Sequence, residues 1–445
     1  MKNIIPQAMK NIYHLFRAIL ANVWYGFPSR KLKVIGVTGT NGKTTTTQMI
    51  AKILEEAGYR VAVASTINFK IAEKEWVNKS KFTTLSGWAL QKFLRQAVSA
   101  GCEYMILEVS SHSLDQNRAW GIDFDVAVIT NVTREHLDYH ETMKEYAKAK
   151  EKLFAMLGHS GKSGKKVSVV NLGMEFADNF LKYDVDEKYG YILGTQSAKI
   201  QPEARLAKVG KAQNNSAKIK TIVAENIELG IKNTKFQVSS TEFKINLPGE
   251  FNVENALAAL CVGLSQEIGL KNISEALAKI KGVPGRMERI KNNRDLEIIV
   301  DYAVTPDSLE KLYKYISGIK KENSKVVAVF GSCGERDRGK RPIMGGIVAK
   351  YADYAIVTNE DPYHEDPQQI IDEVFAGVEA RKKENENAWR ILDRRGAIKK
   401  ALQIARPGDI VVVTGKGAEE TMAIGDKRIL WNDSKVIREV LRERE

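Results

Sequence analysis

Val34-Ile-Gly-Val-Thr-Gly-Thr-Asn-Gly-Lys-Thr-Thr45 is the stretch from which the rest of the chain is read. The apolar run Val34 to Val37 predicts a buried strand, Gly39 to Gly42 a glycine turn, and Lys43 with Thr44 the opening of a helix. That order gathers backbone N–H groups, the positive end of a helix dipole and a lysine charge at one point, which suits a polyphosphate. Gly39, Thr40, Asn41, Gly42, Lys43, Thr44 and Thr45 are therefore the candidate phosphate-binding residues. Lys43 would reach the outer phosphates and the Thr44 hydroxyl a magnesium ion. The general P-loop pattern has a glycine where Val37 stands, so this loop is a variant.

The chain has 445 residues, enough for two or three domains, with 43% hydrophobic and 28% charged residues. Its net charge of +13, from 68 basic and 55 acidic residues, is spread along the chain. With no nucleic-acid-binding motif, that charge fits a solvated surface and anionic small substrates better than DNA or RNA. Cys102, Cys261 and Cys333 lack metal-ligand spacing and suggest no disulfide framework, which fits a reducing cytosol. Ile4 to Phe27 is apolar-rich but interrupted by Lys10, His14, Arg17 and Asn22, too polar to span a bilayer. It predicts an amphipathic helix that packs on the first domain or lies on a membrane surface.

Beyond the glycine turn, Thr45 to Ala57 and Gly87 to Ala100 predict helices. Val61–Ser65, Tyr104–Val109, Asp125–Thr130 and Val167–Asn171 predict short strands. Strands alternating with helices argue a mostly parallel sheet covered on both faces. Residues 195–218 read as a polar surface excursion and 219–247 as a small antiparallel patch. Helices are expected at 253–267 and 273–280, and Gly282-Val-Pro-Gly285 marks a boundary. Strands at 297–300, 326–330, 354–358 and 410–414 follow, with helices between them. The predicted fold is thus α/β: a central P-loop domain with a mostly parallel sheet (33–283) and a C-terminal Rossmann-like α/β domain (284–445), after an N-terminal amphipathic helix (1–32).

Ligands in open α/β sheets gather at the carboxyl ends of strands. Glu108 ends such a strand, as the P-loop does, and its carboxylate could hold magnesium at the same nucleotide. The following Ser110, Ser111 and His112 lack a nucleophile elbow, which argues against serine catalysis. His136 follows another strand end and is read evenly as structural or as a metal ligand. Taking 141–157 as a helix at about 100° per residue, Met143, Tyr146, Ala147, Leu153, Phe154 and Leu157 form an apolar stripe with Lys150 in its middle. A lysine in apolar surroundings loses its charge more easily, and the neutral amine can react with carbon dioxide to give a carbamate, a metal-ligating anion. On pattern alone, a lysine that snorkels to the surface is the favoured reading. In the second domain, Arg336, Arg338, Lys340 and Arg341 would suit phosphate or carboxylate groups. The acidic run Asn359-Glu-Asp-Pro-Tyr-His-Glu-Asp-Pro367 would suit an amine, or serves as a helix-capping loop, and Val413 to Glu419 is another strand-end glycine turn.

From about residue 33 to 445 these motifs resemble, in order, those of the Mur ligases, the ATP-dependent amide ligases of peptidoglycan precursor synthesis. The likeness is greatest to the branch that adds the third peptide residue. It is carried by Thr38 to Thr45, Glu108-Val-Ser-Ser-His112, His136-Leu-Asp-Tyr-His140, Pro284-Gly-Arg-Met-Glu288, Val300-Asp-Tyr-Ala303 with Thr305-Pro-Asp307, Arg336-Asp337 with Lys340-Arg-Pro342, Asp393-Arg394 and Gly415-Lys-Gly417. Tyr146, Lys150, Leu153 and Phe154 match the family's setting for a carbamylated lysine. The resemblance implies ATP and Mg2+, with Thr44 and Glu108 at a first magnesium and Glu108, His136 and carbamylated Lys150 at a second. Lys43, Glu108, His136 and Lys150 would be the catalytic set. Asn255, Arg286 and Asp301 match nucleotide contacts. Thr83, Thr84, Ser110 and Arg118 would face the muramoyl peptide, and Arg336, Asp361, Gly415 and Glu419 the incoming amino acid.

The implied chemistry is acyl-phosphate formation by attack of a peptide carboxylate on ATP, followed by aminolysis, in an enzyme that is cytoplasmic and monomeric. The expected acceptor is UDP-N-acetylmuramoyl-L-alanyl-D-glutamate and the expected amino acid diaminopimelate or lysine. Only about 33 residues precede the P-loop, so the family's uridine-binding domain is expected to be lacking and a lipid-linked carrier becomes an alternative. Glu360-Asp-Pro-Tyr363 stands where diaminopimelate-adding members have Asp-Asn-Pro-Arg. Leu85, Val304, Ala418, Glu135 and Glu335 also depart from the family pattern. A folylpolyglutamate synthetase-like ligase and a catalytically inactive nucleotide-binding scaffold are the rival readings.

Overall fold

The computed structural model describes residues 6–80, 82–196 and 218–443. Its larger sheet is built from β1 (Lys33–Thr38), β2 (Val61–Ala64), β3 (Asn68–Ile71), β4 (Lys74–Val77), β5 (Tyr104–Glu108), β6 (Val126–Ile129), β7 (Val167–Asn171), β8 (Glu187–Leu193), β9 (Ile219–Leu229), β10 (Thr234–Val238) and β11 (Thr241–Ile245). The spatial order is β11-β10-β9-β8-β7-β6-β1-β5-β2-β3-β4. From β9 to β2 every pairing is parallel, and a hairpin-like antiparallel extension closes each edge. The central strands read as unbroken apolar runs, Val61-Ala-Val-Ala64 and Val126-Ala-Val-Ile129 among them, and all their residues are buried. Burial on both faces is what a parallel sheet covered by helices requires.

Two differences from expectation concern this sheet. The segment 219–247 forms no separate patch: β9 pairs in parallel with β8, so the antiparallel strands β10 and β11 continue the large sheet. The run Lys188 to Leu193 is buried residue after residue and gives β9 its neighbour. The helix expected from residue 141 is broken at its start. A single turn, α5 (Leu137–His140), precedes α6 (Met143–Gly158). Glu141 takes a left-handed backbone at φ +64°, and the Thr142 hydroxyl caps α6 by accepting the Glu145 N–H. The expected excursion 195–218 lies almost wholly outside the described residues.

The other helices of this region include α1 (Gln7–Tyr25), α2 (Lys43–Glu56), α3 (Gly87–Ser99), the short α4 (Ser111–Asp115) and the nearly all-apolar helix Glu250–Ser265, whose burial on most sides matches its composition.

The second sheet has β12 (Glu288–Ile290), β13 (Glu297–Asp301), β14 (Val326–Phe330), β15 (Tyr354–Thr358), β16 (Ala388–Ile391) and β17 (Ile410–Thr414) in the order β12-β13-β17-β14-β15-β16. All pairings but the β12 edge are parallel. A two-stranded hairpin, Thr421–Ile424 with Lys427–Leu430, follows. By their internal contacts the residues fall into two units, Met1–Thr133 with Thr142–Lys281, and Arg134–Glu141 with Gly282–Glu445.

Candidate active site

In the first unit β1 lies between β5 and β6, in the register Val37 opposite Glu108 and Thr38 opposite Ile129. The loop leaving β1 therefore runs past the carboxyl ends of both neighbours, the expected place for a ligand. Its shape is held by neutral partners. The Asn41 N–H donates to Asn131 Oδ1 at 2.9 Å, and the Thr130 hydroxyl to the Asn41 carbonyl at 2.6 Å. Gly42 adopts φ +83°, and a Cβ there would lie 2.1 Å from Asn255 Oδ1. The buried helix Glu250–Ser265 thus presses Asn255 against the loop backbone, and only glycine satisfies both the conformation and the approach.

Both lysines of the cradle rest on backbone oxygen. Lys43 Nζ donates to the carbonyls of Gly39 (2.9 Å) and Thr40 (2.8 Å), and Lys150 Nζ to the same Gly39 carbonyl at 2.9 Å. Lys150 is buried, with its ammonium 4.3 Å from the centre of the Tyr146 ring. The Tyr146 hydroxyl in turn meets Thr40 Oγ1 at 3.2 Å. The snorkelling alternative for Lys150 is therefore not what the fold adopts. The apolar stripe carries this residue inward to the P-loop.

Glu108 is 1% exposed and its carboxylate is gripped from two sides. Thr44 Oγ1 lies 3.1 and 3.2 Å from its two oxygens. Thr66 donates its backbone N–H at 2.8 Å and its hydroxyl at 2.9 Å. The Thr66 hydroxyl also meets Thr83 Oγ1 at 3.1 Å. Thr84 continues the chain of contacts: its hydroxyl donates to the Glu108 carbonyl at 3.0 Å and accepts the Ser110 N–H at 3.0 Å. Arg118 Nη1 donates to the Thr84 carbonyl at 2.9 Å. The first unit thus brings together Lys43, Thr44, Glu108, Lys150, Thr83, Thr84, Ser110, Arg118 and Asn255. Thr44 and Glu108 offer hard oxygen donors of the kind magnesium takes, and a carbamate on Lys150 would add more. Among the described residues no three His, Cys, Asp or Glu side chains cluster as a ready-made metal site.

The other candidates belong to the second unit. His136 takes φ +56° at the start of α5, in a segment anchored by Glu135, whose Oε1 receives Lys340 Nζ at 2.9 Å. Burial works against the Lys340 ammonium, and Glu135 overcomes it, holding the group above the usual lysine range. Arg286 lies over the Tyr302 ring at 4.4 Å, and the Met287 N–H donates to Asp301 Oδ2 at 2.7 Å. Burial pushes the Asp301 carboxyl up, and Arg286 pulls it back down. Arg336 stacks over Tyr363 at 5.5 Å. Lys416, wholly buried, donates to Asp361 Oδ2 at 2.7 Å and also to Glu419. Burial would lower the Lys416 ammonium, but Glu419 and Asp361 hold it above its ordinary range. At Gly415, φ is +112° and a Cβ would come within 2.4 Å of Glu360 Oε2, so the strand-end turn admits a carboxylate where any other residue would stand.

The basic loop and the acidic loop, read from sequence as two separate ligand sites, largely satisfy each other. Arg338 and Arg341 pair with Glu365 at 2.9 and 3.0 Å, Arg341 also with Glu373 at 2.7 Å, and His364 with Glu335 at 2.7 Å. Of that cluster, Arg336 is the arginine held by a ring and by the Glu335 carbonyl (2.9 Å).

Comparisons with known proteins identify the family. A model described as the Mur ligase middle domain matches residues 37–263, and one described as the Mur ligase glutamate ligase domain matches 285–417. The UDP-N-acetylmuramyl-tripeptide synthetase of Roseiflexus sp. (strain RS-1) is 38% identical over 438 residues, covering 96% of this chain and 82% of the relative. The chain belongs to the Mur ligase family. Its relative in Geobacillus thermodenitrificans (strain NG80-2), a UDP-N-acetylmuramoyl-L-alanyl-D-glutamate–2,6-diaminopimelate ligase, is 38% identical over 431 residues, again covering 96% and 82%. A solved structure of a ligase with that same name superposes with a TM-score of 0.57 at 31% identity, over 93% of this chain and 79% of that one. The protein is accordingly an ATP-dependent, amide-forming Mur ligase of peptidoglycan precursor synthesis.

Two partners in this Mur ligase escape a reading by motif. Thr66 supplies two of the donors on Glu108, yet it is 42 residues away and carries no signature. Its place just beyond the carboxyl end of β2, next to β5, is the signal that could have found it. Glu360 stands in the sequence only as one acid of the run Asn359–Pro367 and of the stretch Glu360–Tyr363, with no role of its own, although it is 2% exposed and accepts the Cys333 thiol at 2.9 Å.

Proposed function

We propose that this Mur ligase adds a diamino acid, diaminopimelate or lysine, to UDP-N-acetylmuramoyl-L-alanyl-D-glutamate. The observation that carries the reading is the pair Lys43 and Lys150 on the Gly39 carbonyl with the Thr44–Glu108 contact in the same unit, set beside relatives named for that reaction. The P-loop backbone from Gly39 to Thr45 and the Lys43 ammonium take the triphosphate, with Asn255, Arg286 and Asp301 as further nucleotide contacts. Lys43 would exchange the carbonyls of Gly39 and Thr40 for phosphate oxygens. Thr44 and Glu108 would hold one magnesium, and Glu108, His136 and a carbamylated Lys150 a second. When bound, magnesium neutralises charge on the transferring phosphoryl group.

The substrate carboxylate oxygen attacks the γ-phosphorus, the bond to the β-phosphate oxygen breaks, and ADP leaves. The amine then attacks the acyl carbon, loses a proton, and inorganic phosphate departs. Thr83, Thr84, Ser110 and Arg118 position the muramoyl peptide. Arg336 and the Gly415–Glu419 turn position the amino acid, with Asp361 fixing Lys416 beneath that turn. Tyr363, in place of the branch's arginine, removes one partner for a second carboxylate, which favours lysine or another diamino acid over diaminopimelate. Residues 33–283 act as the ATP-binding domain and 284–445 as the amino-acid-binding domain, in a cytoplasmic monomer.

The carrier has a second reading, a lipid-linked muramoyl dipeptide, favoured by the exposed apolar face of α1 described below. Phosphate release from ATP with UDP-linked and lipid-linked dipeptides, each against a panel of amino acids, tests both. Release with a diamino acid is expected, and no release with any pair overturns the proposal.

A further inference from the structure

The helix α1 packs with the wrong face inward. A surface helix ordinarily buries its bulky apolar stripe and shows its small and polar residues to water. Here Ala18, Ala21 and Asn22 are fully buried. A Cβ on Gly87, at the start of α3, would lie 3.1 Å from the Ala18 methyl, so the two helices meet through small residues. Asn22 Nδ2 donates to the Trp120 carbonyl at 2.8 Å, and Asn11 Nδ2 to Asp115 Oδ2 at 3.3 Å. Tyr25 meets Trp88 at 5.7 Å between ring centres. The docking is specific, and it spends the polar and small side of the helix.

The bulky side faces out. Met9, Ile12, Tyr13, Phe16, Leu20, Val23 and Trp24 are each 46–75% exposed. At about 100° per residue they form one stripe roughly 120° wide along the whole helix. Scattered exposed apolar residues need no explanation, but a continuous stripe of this size marks an interaction surface. Lys10 and Arg17 fall together on one border of the stripe, beside Trp24, and Arg17 Nη1 reaches the Tyr13 hydroxyl at 3.1 Å. No Asp or Glu occurs in the first 54 residues, whereas Lys10, Arg17, Arg30, Lys31 and Lys33 all do. Among the described residues no helix is long and apolar enough to cross a membrane.

We propose that the outward face of α1 docks on an anionic lipid bilayer, its aromatic and aliphatic side chains entering the headgroup boundary and Lys10 and Arg17 meeting lipid phosphates. An apolar stripe bordered by bases and free of acids is the composition of a helix that lies in the interface plane. A second copy of the chain fits worse. It would bring the same basic border against itself, with no acid in the stretch to receive it. The proposal does not depend on which substrate the ligase uses.

The test is co-sedimentation of the full chain with phosphatidylcholine vesicles and with vesicles containing phosphatidylglycerol. Binding to the anionic vesicles alone is expected. Phe16→Glu with Trp24→Glu weakens it by about tenfold or more, and Lys10→Glu with Arg17→Glu by about tenfold. Phe16 and Trp24 are exposed and Lys10 and Arg17 half-buried at the border of the stripe, so both variants are expected to keep the wild-type melting temperature and the wild-type rate of phosphate release in the absence of vesicles. Three results overturn the proposal: failure of the wild type to sediment with either vesicle, equal sedimentation with both, or unchanged binding by the variants. Self-association in sedimentation equilibrium that the Phe16→Glu, Trp24→Glu variant abolishes would assign the face to a second copy and overturn it equally.

Discussion

The proposed phosphate cradle of the first unit and the strand-end turns of the second differ in the contacts their cations make. Lys43 and Lys150 rest on a backbone carbonyl, and a neutral oxygen competes weakly with an arriving anion. Lys340, Arg341, Arg394 and Lys416 are each matched to carboxylates and buried. Arg394 is the fullest case: its Nε and Nη2 form a fork on Asp433 at 2.8 and 2.7 Å, while Nη2 and Nη1 reach the carbonyls of Thr414 and Asn359 at 2.8 and 3.2 Å. A buried pair of this kind ties loop ends together and has no charge to spare. The contrast suggests a working distinction for this protein: Lys43 and Lys150, which reach backbone carbonyls of the glycine loop, are proposed to meet substrate, and the buried cations matched to carboxylates are proposed to shape the walls.

The sharpest way to break that distinction is Lys43→Ala. It should cost about a thousandfold in ATP-dependent phosphate release and leave the melting temperature unchanged. Activity within tenfold of wild type would remove the cradle from the reaction. Asp433→Ala should do the reverse, destabilising the second unit by about 3–5 kcal/mol in chemical denaturation because it leaves Arg394 buried and unmatched. A loss of rate at full stability would show that this pair, too, serves chemistry. Lys150→Ala should slow phosphate release about a hundredfold, with partial recovery in formate or acetate. Full activity without added acid excludes the carbamate. Tyr363→Arg should raise the preference for diaminopimelate over lysine about tenfold, read as a ratio of kcat/KM values; no change would place the selector elsewhere.

The smallest effect concerns Glu360. Burial raises its folded carboxyl above the unfolded value, so the native state gains stability as pH falls through that raised value. Glu360→Gln should flatten this part of the stability–pH curve, and an unchanged slope would show the carboxyl to be neutral in its effect.

What could be read in advance follows the same division. The cradle was legible because its parts are local: strand, glycine turn and Lys-Thr are contiguous. Lys150 falls on the apolar side of its own helix, but that pattern alone left snorkelling open, and the match of Tyr146, Lys150, Leu153 and Phe154 to the family setting was needed to turn it inward. Thr66 was not, because its role exists only once β2 and β5 lie side by side. In the second unit the residues were legible and their use was not. Arg341 and Glu365 were both noted, as halves of two binding loops, and nothing in their 24-residue separation says that they bond to each other. The strand β9 went astray for a similar reason. Its alternating outer residues describe an antiparallel pair, while its other edge is completed by β8, which carries no such pattern.

Two ammonium groups on the single carbonyl of Gly39 have a consequence for regulation. They bring two like charges to one point of the loop. Carbamylation of Lys150 would invert one sign, turning the pair into a cation beside an anion and pulling Lys43 toward the centre of the cradle. The charge that an arriving triphosphate meets would then be set by the state of Lys150.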